Sequence, residues 1–222
     1  MRPQTPTSPR RRRLALPVVL AGSVASLILA LGLSPTVAAF TAQIQNSVNT
    51  AGSGTLIMQE TVTTSGGTTI TCKSTDSTTI DTNSATCSTI NKYGGTLTMT
   101  PGQTVSTTIN ITNIGTAAAS SFTLTPSACT QSNNGTPNGS ATDLCTKMTI
   151  VVSSGSSTIY SGTLAGFNGS AINLLSNLGT SSVTANTTVP FTFAVTLPSG
   201  LGNSYAGLQV SQPLTWNFGA GS

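Results

Sequence analysis

The chain has 222 residues, of which only 5% are charged, and it contains no histidine. Its formal net charge of +4 comes from arginines in the first 13 residues, whereas residues 39–222 hold three lysines and four acidic residues. The nearly neutral remainder excludes nucleic acid as a partner on charge grounds. Its moderate hydrophobicity and low net charge also argue against a disordered chain.

The N-terminal region has the layout of a secretory signal peptide. The basic run Arg10–Arg13 precedes an uncharged, mainly apolar stretch, Leu14–Leu33, and a small-residue site follows with the expected cut between Ala38 and Ala39. An apolar stretch of this length could also remain as an uncleaved membrane anchor. We expect residues 1–38 to be removed, so that the protein is secreted or lies at the cell surface and contacts a membrane only through its uncleaved leader.

After cleavage, residues 39–49 would form a free N-terminal segment. Phe40, Ile44 and Val48 recur every four residues, which places all three on one face of an extended strand. Such a strand can add to the sheet edge of a second copy, so we interpret the segment as a candidate donor strand for self-assembly. The alternative is an ordinary disordered terminus.

The rest of residues 39–222 reads as a single all-β domain. Thr188–Leu197 alternates strictly, with five apolar side chains on one face, and Pro190 on the other face indicates an edge or a bulge. Short strands separated by turn signals are typical of an antiparallel, jelly-roll-like β-sandwich. The other predicted strands are Thr55–Thr63, Gly67–Cys72, Gly95–Thr100, Gln103–Thr112, Ser120–Thr125, Lys147–Val152, Ser157–Ser161 and Leu208–Phe218.

One segment has a helical rather than a strand pattern. Ile172, Leu175 and Leu178 recur every three residues, between Ser170 as a candidate N-cap and Gly179 as a C-terminal stop. This spacing predicts a short helical segment near residues 170–178.

Four cysteines follow the leader, at positions 72, 87, 129 and 145. An even number in an exported protein indicates disulfides, and four cysteines allow three pairings. We favour Cys72 with Cys87 and Cys129 with Cys145, because each pair closes a short polar loop between strand-like runs.

The sequence offers little catalytic chemistry. The absence of histidine removes the usual general base and the usual zinc ligand. The acidic residues Glu60, Asp76, Asp81 and Asp143 are too few and too scattered for a calcium loop. We therefore predict a non-enzymatic protein with no catalytic residues, no cofactor and no metal site.

Three stretches form a pattern in a fixed order: the junction Thr36–Phe40, the element Asn49–Leu56, and Pro101–Thr116, which begins with Pro-Gly. Together they resemble the cleavage junction, the element after it and the Pro-Gly strand pair of the TasA/camelysin family of secreted Gram-positive bacterial proteins. Phe193–Leu197 and Leu214–Phe218 fit its closing hairpin. The four cysteines and the threonine-rich strands depart from the family pattern.

This resemblance implies a jelly-roll sandwich and, for TasA, a subunit of biofilm-matrix fibres assembled by donor-strand exchange. Camelysin members are instead cell-surface metallopeptidases, for which this histidine-free chain has no visible metal site. The leading hypothesis is a self-assembling matrix or surface fibre subunit. A monomeric secreted adhesin that binds a host or cell-wall ligand is the alternative.

The leader generates a direct prediction: the exported protein begins at Ala39, because small residues at Thr36 and Ala38 suit the pockets of a signal peptidase. N-terminal sequencing of protein from culture supernatant checks it. A chain that still carries Met1, or that starts after Gly54, would contradict the assignment.

Overall fold

The computed structural model describes residue 44 and residues 50–221, except for residues 78, 80, 137 and 138. The predicted signal peptide 1–38, the cut between Ala38 and Ala39, and the donor-strand residues Phe40 and Val48 lie outside the described residues. Gly52–Ser222 forms one compact unit.

Within the described part of this unit, β-structure dominates, as the sequence predicts. The strands are β1 (Met58–Thr63), β2 (Thr69–Lys73), β3 (Thr104–Asn113), β4 (Ser121–Pro126), β5 (Thr130–Asn133), β6 (Thr149–Ser154), β7 (Ser157–Thr163), β8 (Ile172–Asn173), β9 (Thr188–Thr196), β10 (Leu208–Ser211) and β11 (Leu214–Gly219). The α-helices are α1 (Leu144–Lys147) and α2 (Leu174–Leu178), and a single 3-10 turn spans Asn203–Tyr205.

One layer is a six-stranded antiparallel sheet in the order β2-β1-β3-β9-β6-β7. The longest ladder joins β3 to β9, from Thr104 opposite Thr196 to Thr112 opposite Thr188. Pro190 lies in β9, which is a central strand. The ladder between β9 and β6 ends at Thr192 and does not reach Pro190. Its missing N–H therefore falls where β9 has a neighbour on one side only, as a proline in a strand requires.

The second layer is narrower. β4 pairs with β11 on one side and with the two-residue β8 on the other, while β5 pairs with β10. β5 follows β4 and β10 precedes β11, and the N–H of Ser127 donates to the carbonyl of Pro213 at 2.9 Å between the two ladders. The four strands thus act as two long, bent strands of one hairpin.

The two layers pack face to face through aromatic rings. Phe122 on β4 meets Phe191 on β9 with ring centroids 5.7 Å apart, and Trp216 on β11 lies 4.9 Å from Phe191. Phe122, Phe191 and Phe193 are fully buried. Burial of each such side chain contributes roughly 1.5–3 kcal/mol, so the sandwich predicted from alternation is confirmed by its core.

The outer face of the six-stranded sheet is covered with hydroxyl groups. Three threonine pairs hydrogen bond across β3 and β9, at 2.7 to 2.9 Å between hydroxyl oxygens: Thr104 with Thr196, Thr108 with Thr192, and Thr112 with Thr188. Cross-strand threonine pairs of this kind stabilise a sheet without charge.

Two sequence predictions need correction. Gly95–Thr100 is not a strand, because this segment makes no ladder and lies in the long irregular connection between β2 and β3. The helix near residues 170–178 is present, but it begins after Asn173, whose side chain accepts a hydrogen bond from the Ser176 N–H. Ser170 is therefore not the cap, and Ile172 lies in β8.

Disulfides join Cys72 to Cys87 and Cys129 to Cys145, with Cα atoms 6.2 and 6.0 Å apart. These are the two pairs expected from the sequence. Since disulfides persist in oxidising compartments, both bonds are compatible with an extracellular location.

Among the residues that the structure describes, no helix is long and apolar enough to cross a membrane.

The aromatic contact between the layers predicts a large stability effect. Phe122→Ala is expected to lower the free energy of unfolding by about 3–5 kcal/mol, because it leaves a cavity under both layers. Val151→Ala, on the outer face and 40% exposed, is the control and should cost much less. Denaturant unfolding curves compare the two, and equal losses would contradict this account of the core.

Candidate functional site

A cleft lined by both apolar and polar residues opens beside β11. Its volume is about 1150 Å³, and its lining includes Met58 on β1, Val195 on β9, Leu208 on β10, and Trp216 and Phe218 on β11. These are residues from the inner faces of both layers. The cleft is therefore a gap in the sandwich rather than a surface depression.

The gap has a topological cause. Six strands form one layer, whereas the second layer is only about half as wide. Among the described residues β11 pairs with β4 alone, and all five residues Leu214–Phe218 line the cleft. Since successive side chains point to opposite faces, the cleft must border β11 along its unpaired backbone edge. That edge presents N–H and C=O groups to an additional strand.

Trp216 lines the cleft and also packs against the core. Its ring packs against Phe122, Phe191 and Phe193, but its buried indole Nε1 has no hydrogen-bond partner among the described residues. A buried donor without an acceptor costs about 1–3 kcal/mol.

The connection between β2 and β3, residues 74–103, forms another wall and is called the cleft loop below. Lys92 of this loop reaches Glu60 on β1, with Nζ and Oε1 2.8 Å apart and only 11% and 8% of the side chains exposed. Oε1 of Glu60 accepts no hydrogen bond of good geometry from the described residues, so the ion pair is what balances its buried charge.

The next residue of the loop binds the opposite layer. The Tyr93 hydroxyl donates to Oε1 of Gln212, at 2.7 Å, in the link between β10 and β11. Gln212 in turn donates to the carbonyls of Ser127 and Phe167. Burial raises the pKa of the Tyr93 phenol well above its ordinary value, so the hydroxyl remains a donor at any physiological pH.

A glycine permits this close approach. Gly94 has φ +79°, and a Cβ at this position would lie 2.5 Å from Cγ1 of Val105 on β3. A larger residue is disfavoured both by the left-handed backbone and by the contact.

The other polar cluster is exposed and lies on α1 and the 3-10 turn. The Tyr205 hydroxyl donates to Asp143 at 2.9 Å, and this bond lowers the carboxyl pKa, with a smaller contribution from Lys147 at 3.4 Å. In the described ranges, no group of three or more histidine, cysteine, aspartate or glutamate side chains could hold a metal ion.

The sequence-predicted residues are distributed unevenly around the cleft. Cys72 and Cys87 line it, whereas Cys129 and Cys145 do not. Of the candidate donor residues only Ile44 is described, and it is 91% exposed. Sequence reasoning assigned no site role to Glu60, Lys92, Tyr93 or Trp216. The one sequence signal for the site was the apolar alternation of Leu208–Phe218. In the structure these apolar side chains are only partly buried.

Comparison with known proteins gives no assignment: no protein-family model matches the chain, and no curated protein is significantly similar to it.

Burial of the Tyr93 phenol predicts that the folded protein loses stability at alkaline pH. Because the pKa of Tyr93 is raised in the folded state, its contribution to stability is fully present below its ordinary pKa of about 10 and is lost as pH rises further. Tyr93→Phe should therefore flatten the fall in unfolding free energy between about pH 9 and about pH 11.

Denaturant unfolding followed by Trp216 fluorescence measures this fall. Tyr160→Phe is the control, since Tyr160 is less deeply buried although burial raises its pKa as well. Equal slopes for the wild type and Tyr93→Phe would show that Tyr93 is not responsible.

Proposed function

We propose that this chain is a secreted, non-enzymatic structural protein that assembles into extracellular matrix or surface fibres by strand exchange between copies. The resemblance to the TasA/camelysin family implies this role. The observation that carries it is the cleft beside β11, a gap of about 1150 Å³ along a strand edge that pairs with no other described strand.

The strand edge beside the gap is about as long as the candidate donor segment. β10 and β11 together offer an edge from Leu208 to Gly219, about as long as the candidate donor segment 39–49. A strand placed there would form backbone hydrogen bonds with β11, which supply affinity, while alternate side chains enter pockets, which supply register.

The donor side chains are apolar, as is about half of the lining. In an extended conformation Phe40, Ile44 and Val48 would share one face, with spacings of about 13 Å between them at ~3.3 Å per residue. Each contributes roughly 1.5–3 kcal/mol when it moves from water into apolar surroundings. Three such contacts and a backbone ladder would favour the binding of one copy to the next.

Processing would control the start of assembly. As long as residues 1–38 remain attached, the donor segment is tethered to the membrane. Cleavage between Ala38 and Ala39 releases it as a free terminus, so fibres form only from exported subunits.

Electron microscopy of residues 39–222 beside residues 50–222 tests the proposal. Fibres are expected only from the longer chain, because only it carries the donor strand. Fibres from both chains would remove this mechanism. Fibres from neither, across a range of pH and concentration, would favour the monomeric adhesin, and chelator-sensitive digestion of casein would favour a camelysin-like peptidase.

A matched pair of substitutions in residues 39–222 sharpens the test. Ile44→Asp places a charge on the face that enters the cleft and should abolish assembly, because burial of an unpaired charge is costly. Gln45→Asp adds the same charge on the opposite face and should leave fibres intact. Light scattering follows both, and equal behaviour would reject the assigned strand face.

A further inference from the structure

The cleft is partly occupied by the chain's own cleft loop, which holds both of its walls. Two consecutive residues bind opposite layers: Lys92 pairs with Glu60 on β1, and Tyr93 hydrogen bonds to Gln212 between β10 and β11. Both contacts are largely buried. A connection that merely linked β2 to β3 would need neither of them.

Apolar contacts hold the middle of the loop in the same place. Ile90 is only 6% exposed, and Tyr93 and Met99 pack against the core cluster. The disulfide from Cys72 to Cys87 limits how far this part of the loop can travel. The loop therefore supplies the apolar cover that an additional strand of the second layer would otherwise provide.

The cover is incomplete and contains no regular ladder. The loop forms no strand in the ranges described, and β11 keeps its unpaired edge and Trp216 its unpartnered Nε1. A strand would satisfy more of the cleft's backbone groups than the loop does, so exchange of one for the other is favourable once the loop has moved.

We propose that the cleft loop is a built-in plug of the strand-acceptor cleft, and that Lys92 and Tyr93 form the latch that an incoming strand must release. This inference rests on the proposed function. The role of the buried ion pair is then to hold the loop in one position rather than to add stability. Loss of Lys92 leaves the Glu60 charge uncompensated, which favours movement of the loop away from β1.

The only tryptophan of the chain, Trp216, reports the state of the plug. In residues 39–222 held at a concentration too low for assembly, Tyr93→Phe and Lys92→Met should increase acrylamide quenching of Trp216. Tyr93→Phe should raise the population of the open loop by about tenfold, the usual effect of one lost buried hydrogen bond. Lys92→Met should raise it at least as much, because it leaves the Glu60 charge uncompensated. At higher concentration both should shorten the lag before fibres scatter light.

Matched controls separate the latch from general destabilisation. Tyr160→Phe removes another tyrosine hydroxyl, which bonds to the Thr163 carbonyl, and Lys147→Met breaks an ion pair that is about half exposed. Neither residue lines the cleft, so quenching and lag should remain as in the wild type. Tyr93→Phe keeps the ring and its packing, so it tests the latch even if Lys92→Met fails to fold.

Quenching of Tyr93→Phe equal to that of Tyr160→Phe would overturn the latch. Increased quenching with an unchanged lag, in a protein that still forms fibres, would show that the loop does not control entry and would also overturn it. If no variant forms fibres and the wild type forms none, the proposed function fails, whereas the quenching comparison still decides whether the loop is latched over the cleft.

Discussion

Phe122, Phe191 and Trp216 form the aromatic contact between two layers of unequal width. This difference in width determines how the rest of the wider sheet is covered. Rings from β4 and β11 cover the middle of the six-stranded sheet. They cannot cover β1 and β2 as well, because no described strand lies beyond β11. The inner face of β1 is therefore covered by a loop, and the buried position that would suit an apolar residue holds Glu60 with its partner Lys92.

The sequence predicted the structure correctly where a single local pattern was enough to identify a strand. Alternation in Thr188–Leu197 identified a buried face because burial on one side of a strand has period two. The same signal could not distinguish a side chain that only packs under a sheet from one that also lines a cleft, which is why Leu208–Phe218 was identified only as a strand. β5 was missed because Thr130–Asn133 is polar throughout, and the pairing of Glu60 with Lys92 joins residues too far apart in sequence for any local pattern to show.

In the proposed assembly, the cleft loop and the donor strand of a second copy compete for the same walls of the cleft. The loop is tethered to these walls, whereas the donor strand is a free ligand. The cleft loop is attached at both ends and again at Cys87, so its effective concentration at the cleft is far above that of any second copy. An incoming strand can prevail only through the number of its contacts, chiefly the backbone bonds along β10 and β11 that the loop leaves unmade. Assembly by the proposed exchange is therefore expected to begin slowly and to reverse slowly.

The hydroxyl-covered outer face has a consequence for the surroundings that the protein tolerates. Its threonine pairs neither gain nor lose protons in ordinary conditions, and the chain has no histidine to titrate near neutrality. Dissolved salt acts on surface interactions mainly by screening charge, and this face offers it almost none. Brackish, fresh or mildly acidic water should therefore present the protein with nearly the same hydrated surface.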